Sequence, residues 1–217
     1  MSEIVTTYML PDTDTTLPMK RTEFYREQIA ACRKTGAPTR SIEVVQTLLF
    51  TADGELILQK RSRRKQHNPG LIDKSLGGHI RFGETPKYTL MVETLQELEV
   101  PSFVLSQADD YKKTFTVLRP FLNNVALTQH IDGPRTYLST KLIKGEQVTI
   151  ANTYNFYLGI YSGPIKPADK EAAGILYFGY PKIRHDIREA PGQFTADLKF
   201  LLKKYQDEIR EFLRVLG

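Results

Sequence analysis

The sequence is poor in the residues on which secreted and membrane proteins depend. Its 217 residues include one cysteine and no tryptophan. Because Cys32 has no partner in the chain, an internal disulfide is excluded, and a reducing compartment is favoured. No apolar run reaches the roughly eighteen residues of a membrane span, and the N-terminus lacks the charged start and apolar core of a signal peptide. The sequence therefore predicts a cytoplasmic protein without membrane contact.

The charge balance favours small anionic ligands over nucleic acid. The formal net charge is +5, and the 41% hydrophobic and 25% charged residues are typical of a soluble globular protein. Lys and Arg are spread along the chain, with no long basic run interleaved with aromatics, so we expect no nucleic-acid partner. The length suits one domain, and no repeat or linker divides it. We therefore predict a single domain over 1–217, with an N-terminal arm and helix over 1–40.

One stretch, from Gly78 to Val100, combines a glycine-rich turn with a helical pattern. Thr85 can cap the helix, and Pro86 fits its first turn. Five apolar residues share one helical stripe, which predicts the buried face: Tyr88, Met91, Val92, Leu95 and Leu98. Glu93 and Glu97 lie four residues apart and are predicted on roughly the opposite face.

Two carboxylates one helical turn apart repel each other, and a divalent cation between them reverses the sign of that interaction. Magnesium suits such a pair because it takes one or two carboxylates and completes its shell with waters and phosphate oxygens. The alternative interpretation is an ordinary solvated helix face, since short patterns match by chance.

The spacing G-x5-E-x8-E-x3-E over Gly78, Glu84, Glu93 and Glu97 resembles the Nudix box, G-x5-E-x7-R-E-U-x-E-E-x-G-U. The resemblance implies that Glu93 and Glu97 bind Mg²⁺ or Mn²⁺ and act in catalysis. It implies a supporting role for Glu84, which orients the helix or the metal's waters. The box is degenerate. Its arginine, the first glutamate of its E-E pair and its closing glycine are replaced here, by Val92, Gln96 and Glu99.

The same resemblance extends to two loops outside the box. The run QKRSRRKQHNPG is similar to the family loop that borders the diphosphate, which implies that Arg61 and Lys65 bind substrate phosphate, with Gly78 also at the substrate. The alternative for this run is a solubilising charge cluster. Glu171, in ADKEAAGILYF, matches a family glutamate that assists the metal or the water, and its alternative is a surface carboxylate.

The fold implied is α/β (α+β), with a mixed β-sheet sandwiched between helices. Strands are predicted around the TADG turn, at Ile42 to Phe50 and Glu55 to Lys60, and around the KGE turn, at Thr136 to Leu142 and Val148 to Tyr161. A helical insertion over 101–135 is atypical of the family and is expected to shape a substrate pocket or a subunit contact. One C-terminal helix is predicted from Thr195, and a homodimer is possible because many family members pair.

Three functions remain open from the sequence. The resemblance implies a hydrolase that cleaves a small-molecule diphosphate with a divalent metal. A Nudix-fold binding or regulatory module is the main alternative, favoured by the degenerate box. Isomerisation is the third, because the run from Gln59 to Thr85 is most similar to isopentenyl-diphosphate isomerases. The isomerase's catalytic cysteine position is Gly77 here, and a glycine cannot donate a proton.

Overall fold

The computed structural model describes residues 3–143, 145–166 and 172–216, and these contain ten strands and six α-helices. The strands are β1 (Ile4–Met9), β2 (Thr16–Lys20), β3 (Arg40–Phe50), β4 (Glu55–Arg61), β5 (Ile72–Asp73), β6 (Leu76–His79), β7 (Ser102–Leu105), β8 (Ala126–Ile143), β9 (Glu146–Ile160) and β10 (Ala172–Gly179). The helices are α1 (Arg21–Thr35), α2 (Pro86–Leu98), α3 (Ala108–Leu118), α4 (Tyr180–Glu189), α5 (Ala196–Lys204) and α6 (Gln206–Leu216).

The strands form one curled, mixed sheet in the order β10-β4-β3-β9-β8-β7. The β3–β9 and β7–β8 pairs are parallel, and the remaining pairs are antiparallel. β3 is the centre, since it also pairs with β1 and β6. Residues 41–50 of β3 are all buried. This strand is therefore covered on both of its faces.

Helices cover both faces of the sheet, as predicted. One apolar cluster joins the sheet to α1, α3, α4, α5 and α6, and a second joins the opposite face to α2 through Leu90 and Leu98. No helix of the described residues is long and apolar enough to cross a membrane. The two clusters leave the end of the sheet between α1 and α2 open, and the cleft described below lies there.

The predicted N-terminal arm is wrong for most of its length. β1 and β2 form an antiparallel hairpin, and β1 extends the sheet by pairing Thr7 with Ile42 of β3. Threonine-rich segments carry little hydrophobic signal, and burial against β3 decides their conformation. The following helix is confirmed: α1 ends at Gly36, whose φ of 77° is the left-handed conformation typical of a helix C-terminus.

The predicted helical insertion is confirmed only in its first half. α3 ends at Leu118, a short 3-10 turn holds Pro120, and β8 begins at Ala126 where a helix was expected. The reason is tertiary, because β7 pairs in parallel with the start of β8. Tyr111 and Phe115 of α3 are buried in the main cluster.

The helix predicted from Thr195 is confirmed in its start, but it is not one continuous helix. Thr195 caps α5 by accepting a hydrogen bond from the backbone N–H of Leu198, as the sequence indicates. The chain then breaks at Tyr205 and resumes as α6, so two helices replace the single one predicted. The apolar stripe is buried across both, at Leu198, Leu201, Leu202, Tyr205, Ile209, Phe212 and Leu216.

The predicted buried face of α2 is also wrong. Tyr88, Met91 and Leu95 are 54%, 42% and 57% exposed. The helix instead buries a narrower face, made of Thr89, Leu90, Thr94 and Leu98. The sheet accepts this face because Leu90 and Leu98 pack with β3 and β4 side chains in the second cluster. As a result, Glu93 and Glu97 flank the buried face and lie at the cleft.

A pair of truncations tests the orientation of α2. Leu90→Ala removes a fully buried side chain, so we expect it to lower the free energy of unfolding by about 2–5 kcal/mol. Leu95→Ala removes an exposed side chain of the same size and should change it by less than about 0.5 kcal/mol. Urea unfolding monitored by circular dichroism measures both. Equal losses in the two variants would contradict the orientation described here.

Candidate active site

The main cleft has a volume of about 630 Å³ and opens between α1, α2 and the loop that follows β4. Its lining includes the paired carboxylates of α2. It also includes seven Lys and Arg side chains: Arg21, Arg61, Arg64, Lys65, Lys74, Arg81 and Lys141. A polar cleft of this volume is large enough for a small-molecule ligand, and its charges favour an anionic one.

Glu93 and Glu97 lie on the cleft side of α2, where neighbouring groups fix their positions. Gln59 of β4 donates from Nε2 to Glu97 Oε2 at 3.1 Å and to the Ser75 carbonyl at 2.9 Å. The side chain of Glu93 lies against the backbone of Gly78, in space that a Cβ at that position would fill. Burial raises the pKa of Glu93 to about 7, and repulsion from Glu97 adds to the rise.

This donor set fits a hard divalent cation with few protein ligands. The described residues contain no group of three or more His, Cys, Asp or Glu side chains that could hold a metal ion. Two adjacent carboxylates are nevertheless the protein ligands that magnesium commonly takes, with waters and phosphate oxygens in the remaining positions. The absence of a side chain at Gly78 supports this fit, because it lets Glu93 reach the cleft beside Glu97.

The structure places Arg61 and Lys65 in the cleft lining, and Arg61 already has partners. Its guanidinium donates to the His67 carbonyl from Nε at 3.1 Å and from Nη2 at 2.9 Å. It also donates from Nη1 to Asp73 Oδ2 at 2.9 Å. Arg61 therefore holds the loop between β4 and β5 in place, in addition to contributing charge to the cleft.

A buried charge network forms the floor of the cleft, and sequence reasoning missed it because its members come from distant parts of the chain. Lys74 Nζ lies 3.5 Å from Asp73 Oδ1 and 3.6 Å from Asp197 Oδ2. Asp73 also accepts from Thr195 at 2.7 Å, and Asp197 accepts from Tyr137 at 2.6 Å. Burial alone would raise the pKa of either aspartate, but Lys74, further cations (Arg61 for Asp73, Lys141 for Asp197) and hydrogen bonds together hold both below the usual range.

The two histidines of the cleft are neutral. Tyr25 of α1 hydrogen-bonds Nε2 of His79 at 3.0 Å, and its ring packs on His67 with 4.4 Å between centroids. Burial and, next, the positive charge of Lys141 lower the pKa of His67 to about 3. Burial and the cations of the cleft also hold the pKa of His79 well below its usual value.

The position of the isomerase cysteine is occupied in an unexpected way. A Cβ at Gly77 would overlap Cε of Lys74 and would lie 3.3 Å from Lys74 Nζ. The lysine stem thus fills the space in which a side chain at position 77 would begin. Lys74 belongs to the buried network, so the glycine at 77 and the charge at 74 depend on each other.

The other predicted residues lie in different places. Gln96, at the first E-E position of the box, lines the cleft but is exposed. Glu84 is absent from the cleft lining, and its Oε2 accepts from Thr89 at 3.5 Å. Glu171 lies outside the described residues. No residue of the 101–135 insertion is found among the described residues that line this cleft.

His67 makes the stability of the fold pH-dependent. Its folded pKa of about 3 lies below the ordinary 6.5, so its contribution is complete above pH 6.5 and is lost as the pH falls towards 3. Between about pH 7.5 and pH 5 we expect this to cost about 1–2 kcal/mol of unfolding free energy, after allowing for solvent screening. His67→Gln should lose less over that range in urea unfolding.

The control for His67 is the exposed His185 of α4. His185→Gln should retain the pH dependence of the wild-type protein. If His67→Gln were as acid-sensitive as the wild type, the buried neutral state of His67 would be wrong.

The comparisons with known sequences identify isomerases. No family model matches the chain. It is 34% identical over 82 residues to isopentenyl-diphosphate Delta-isomerase of Streptomyces avermitilis, covering 38% of this chain and 40% of that protein. It is 24% identical over 186 residues to the isomerase of Streptomyces coelicolor, covering 85% of this chain and 78% of that one. The better-matching segment thus spans less than half of the relative's length.

The comparisons with solved structures identify the fold. A Deinococcus radiodurans protein superposes with a TM-score of 0.58 at 15% identity, over 96% of this chain and 98% of its own. The MutT protein of Methanosarcina mazei superposes with a TM-score of 0.52 at 15% identity, over 77% and 94%. These neighbours show the Nudix fold, and the isomerases belong to the same superfamily. The chain therefore has the Nudix fold, and its sequence relatives are isopentenyl-diphosphate isomerases of that superfamily.

Proposed function

We propose that the protein is a divalent-metal-dependent hydrolase of a diphosphate linkage, in a nucleoside diphosphate derivative or a related compound. One observation supports the proposal: a single cleft is lined by an adjacent pair of carboxylates and by seven Lys and Arg side chains. A diphosphate repels an attacking hydroxide, so its hydrolysis needs cations around the phosphates and a carboxylate near the water. The cleft offers both.

Glu93 and Glu97 are the residues that would hold Mg²⁺ or Mn²⁺. When bound, such an ion neutralises phosphate charge and polarises the phosphoryl oxygens. Gln59 orients Glu97, and Gly78 leaves room for Glu93 and for a close approach of the substrate to the backbone. One of the two glutamates, or Glu171, accepts the proton of the attacking water.

Lys65 and Arg61 supply positive charge on the opposite side of the cleft. Lys65 is assigned to substrate phosphate, which an ammonium binds as a point charge. Arg61 is assigned a double role, since two of its hydrogen bonds hold the loop that carries Lys65 and a third binds Asp73 of β5. Correct placement of such charges contributes to catalysis because they need no reorganisation during the reaction.

A binding or regulatory module is the second candidate. It is favoured by Gln96, which offers a neutral oxygen where the family has a carboxylate, and by the absence of a third acidic ligand within the described residues. Isomerisation is less favoured, although the sequence relatives are isomerases. Gly77 cannot act as an acid, and Lys74 fills the adjoining space.

The first test is a panel of diphosphate compounds assayed with Mg²⁺ or Mn²⁺ and with EDTA: nucleoside diphosphates and triphosphates, ADP-ribose, dinucleotides, coenzyme A and prenyl diphosphates. We expect metal-dependent release of phosphate or nucleotide from at least one compound. Glu93→Gln/Glu97→Gln should lower turnover by about 10²-fold or more, because it removes the metal ligands and the base. Phosphate and nucleotide release are measured by colorimetry and chromatography.

The matched control is Glu208→Gln/Glu211→Gln, which changes two exposed glutamates of α6 and should keep wild-type turnover. Turnover that survives the Glu93/Glu97 substitution would sink the assignment. No release from any compound, combined with a ligand that raises the melting temperature, would favour the binding module.

A second test uses Gly78. Gly78→Ala adds a Cβ in the space of the Glu93 side chain, which is flexible enough to move aside without unfolding the protein. Because displacement of a catalytic group by about 1 Å can cost about 10²-fold in rate, we expect a large loss of turnover with a small change in stability. Gly192→Ala, which meets open space, is the control. Unchanged turnover in Gly78→Ala would argue against a catalytic Glu93.

A further inference from the structure

The buried network at the floor of the cleft carries an excess positive charge. Arg61 pairs with Asp73, and Lys74 lies between Asp73 and Asp197. Two carboxylates are thus matched by two cations. Lys141 of β8 is a third cation beside them, 8% exposed, and it forms no ion pair with any described residue. The five groups together carry a net charge of +1.

The partners of Lys141 are weak for a buried ammonium. Its Nζ donates to Asn152 Oδ1 at 3.4 Å and lies 5.9 Å from the centroid of the Tyr25 ring. Asn152 Nδ2 makes no hydrogen bond of acceptable geometry within the described chain, so a second donor lies beside the ammonium. A buried charge with such partners is costly, and polar donors left without acceptors add to the cost.

Lys141 stays charged in this environment. Burial alone would lower its pKa, but Tyr25 and the carboxylates of Asp197 and Asp73 outweigh burial and raise it. His67 and His79 do not compensate this charge either, since they are neutral and protonation would only add positive charge. The remaining neighbour is the cleft itself, which Lys141 and Asn152 both line.

We propose that Lys141, with Asn152 beside it, forms an anion subsite at the floor of the cleft, for a phosphate or carboxylate group of the ligand. The ligand's anion neutralises the excess charge that the protein leaves uncompensated. This inference deepens the proposed function, because it gives the substrate an anionic group at the floor, away from the α2 carboxylates. A hydrocarbon moiety placed there would leave Lys141 buried and unpaired, so the subsite disfavours prenyl groups.

The anion has two possible sources, which share the same chemistry. It is either the outer phosphate of the diphosphate itself or a further anionic group on the rest of the ligand. Two ligands that differ by one phosphate separate the sources: ADP-ribose and ADP-ribose 2′-phosphate. Inorganic phosphate in EDTA probes the subsite alone, without metal and without turnover.

The key variant is Lys141→Met, which keeps the length of the side chain and leaves the network balanced, so it should fold. Lys203→Met, an exposed lysine of α5, is the matched control. By isothermal titration calorimetry at low salt, we expect Lys141→Met to bind inorganic phosphate at least about tenfold more weakly, as for a lost charge-assisted contact. Lys203→Met should bind it like the wild type.

The ADP-ribose pair then assigns the source. If Lys141→Met weakens the binding of both ligands equally, the diphosphate itself occupies the subsite. If the substitution instead removes a preference for ADP-ribose 2′-phosphate, the additional phosphate occupies it. Unchanged binding of phosphate and of both ligands in Lys141→Met would overturn the proposal. Phosphate binding is measured in EDTA, and binding of the two ADP-ribose ligands is measured without turnover. A failure of the hydrolase assignment would therefore not contradict the subsite. A failure of the subsite would likewise not contradict the hydrolase assignment.

Discussion

The ion network around Asp73 is the interaction on which the cleft depends. Asp73 binds Arg61 from β4, Lys74 from its own turn and Thr195 at the start of α5. It therefore joins β4, the turn after β5 and the start of α5 at one buried point. Breaking such a network leaves unpaired charges in the interior, which is strongly destabilising. The floor of the cleft is thus fixed by electrostatics as much as by apolar packing.

The same network fills the space beside Gly77. Lys74 occupies the space next to Gly77, and its ammonium is held between two aspartates. A reactive cysteine at position 77 and a paired lysine at position 74 would compete for one volume. Charge at the floor and acidic groups on α2 together favour anionic, polar ligands over a hydrocarbon one.

Part of the structure was predictable because it depends on neighbours in sequence. The strand predicted at Ile42 to Phe50 and the Thr85 cap with Pro86 rest on local signals, and both are confirmed. The N-terminal hairpin and the start of β8 were not predictable, because each strand forms by pairing with a distant one. Strand propensity is weak until a partner edge is supplied.

The sequence by itself determined that Glu93 and Glu97 are neighbours on α2, since helical spacing alone brings them together. The face of that helix predicted to be buried was wrong. The helix has more apolar residues than can pack against the sheet, and only Leu90 and Leu98 join the second apolar cluster. Only the tertiary structure brought Lys141 into the cleft, from a strand far along the chain. Local periodicity fixes what lies on one helix, whereas charges that meet from different elements are decided by the packing of the whole sheet.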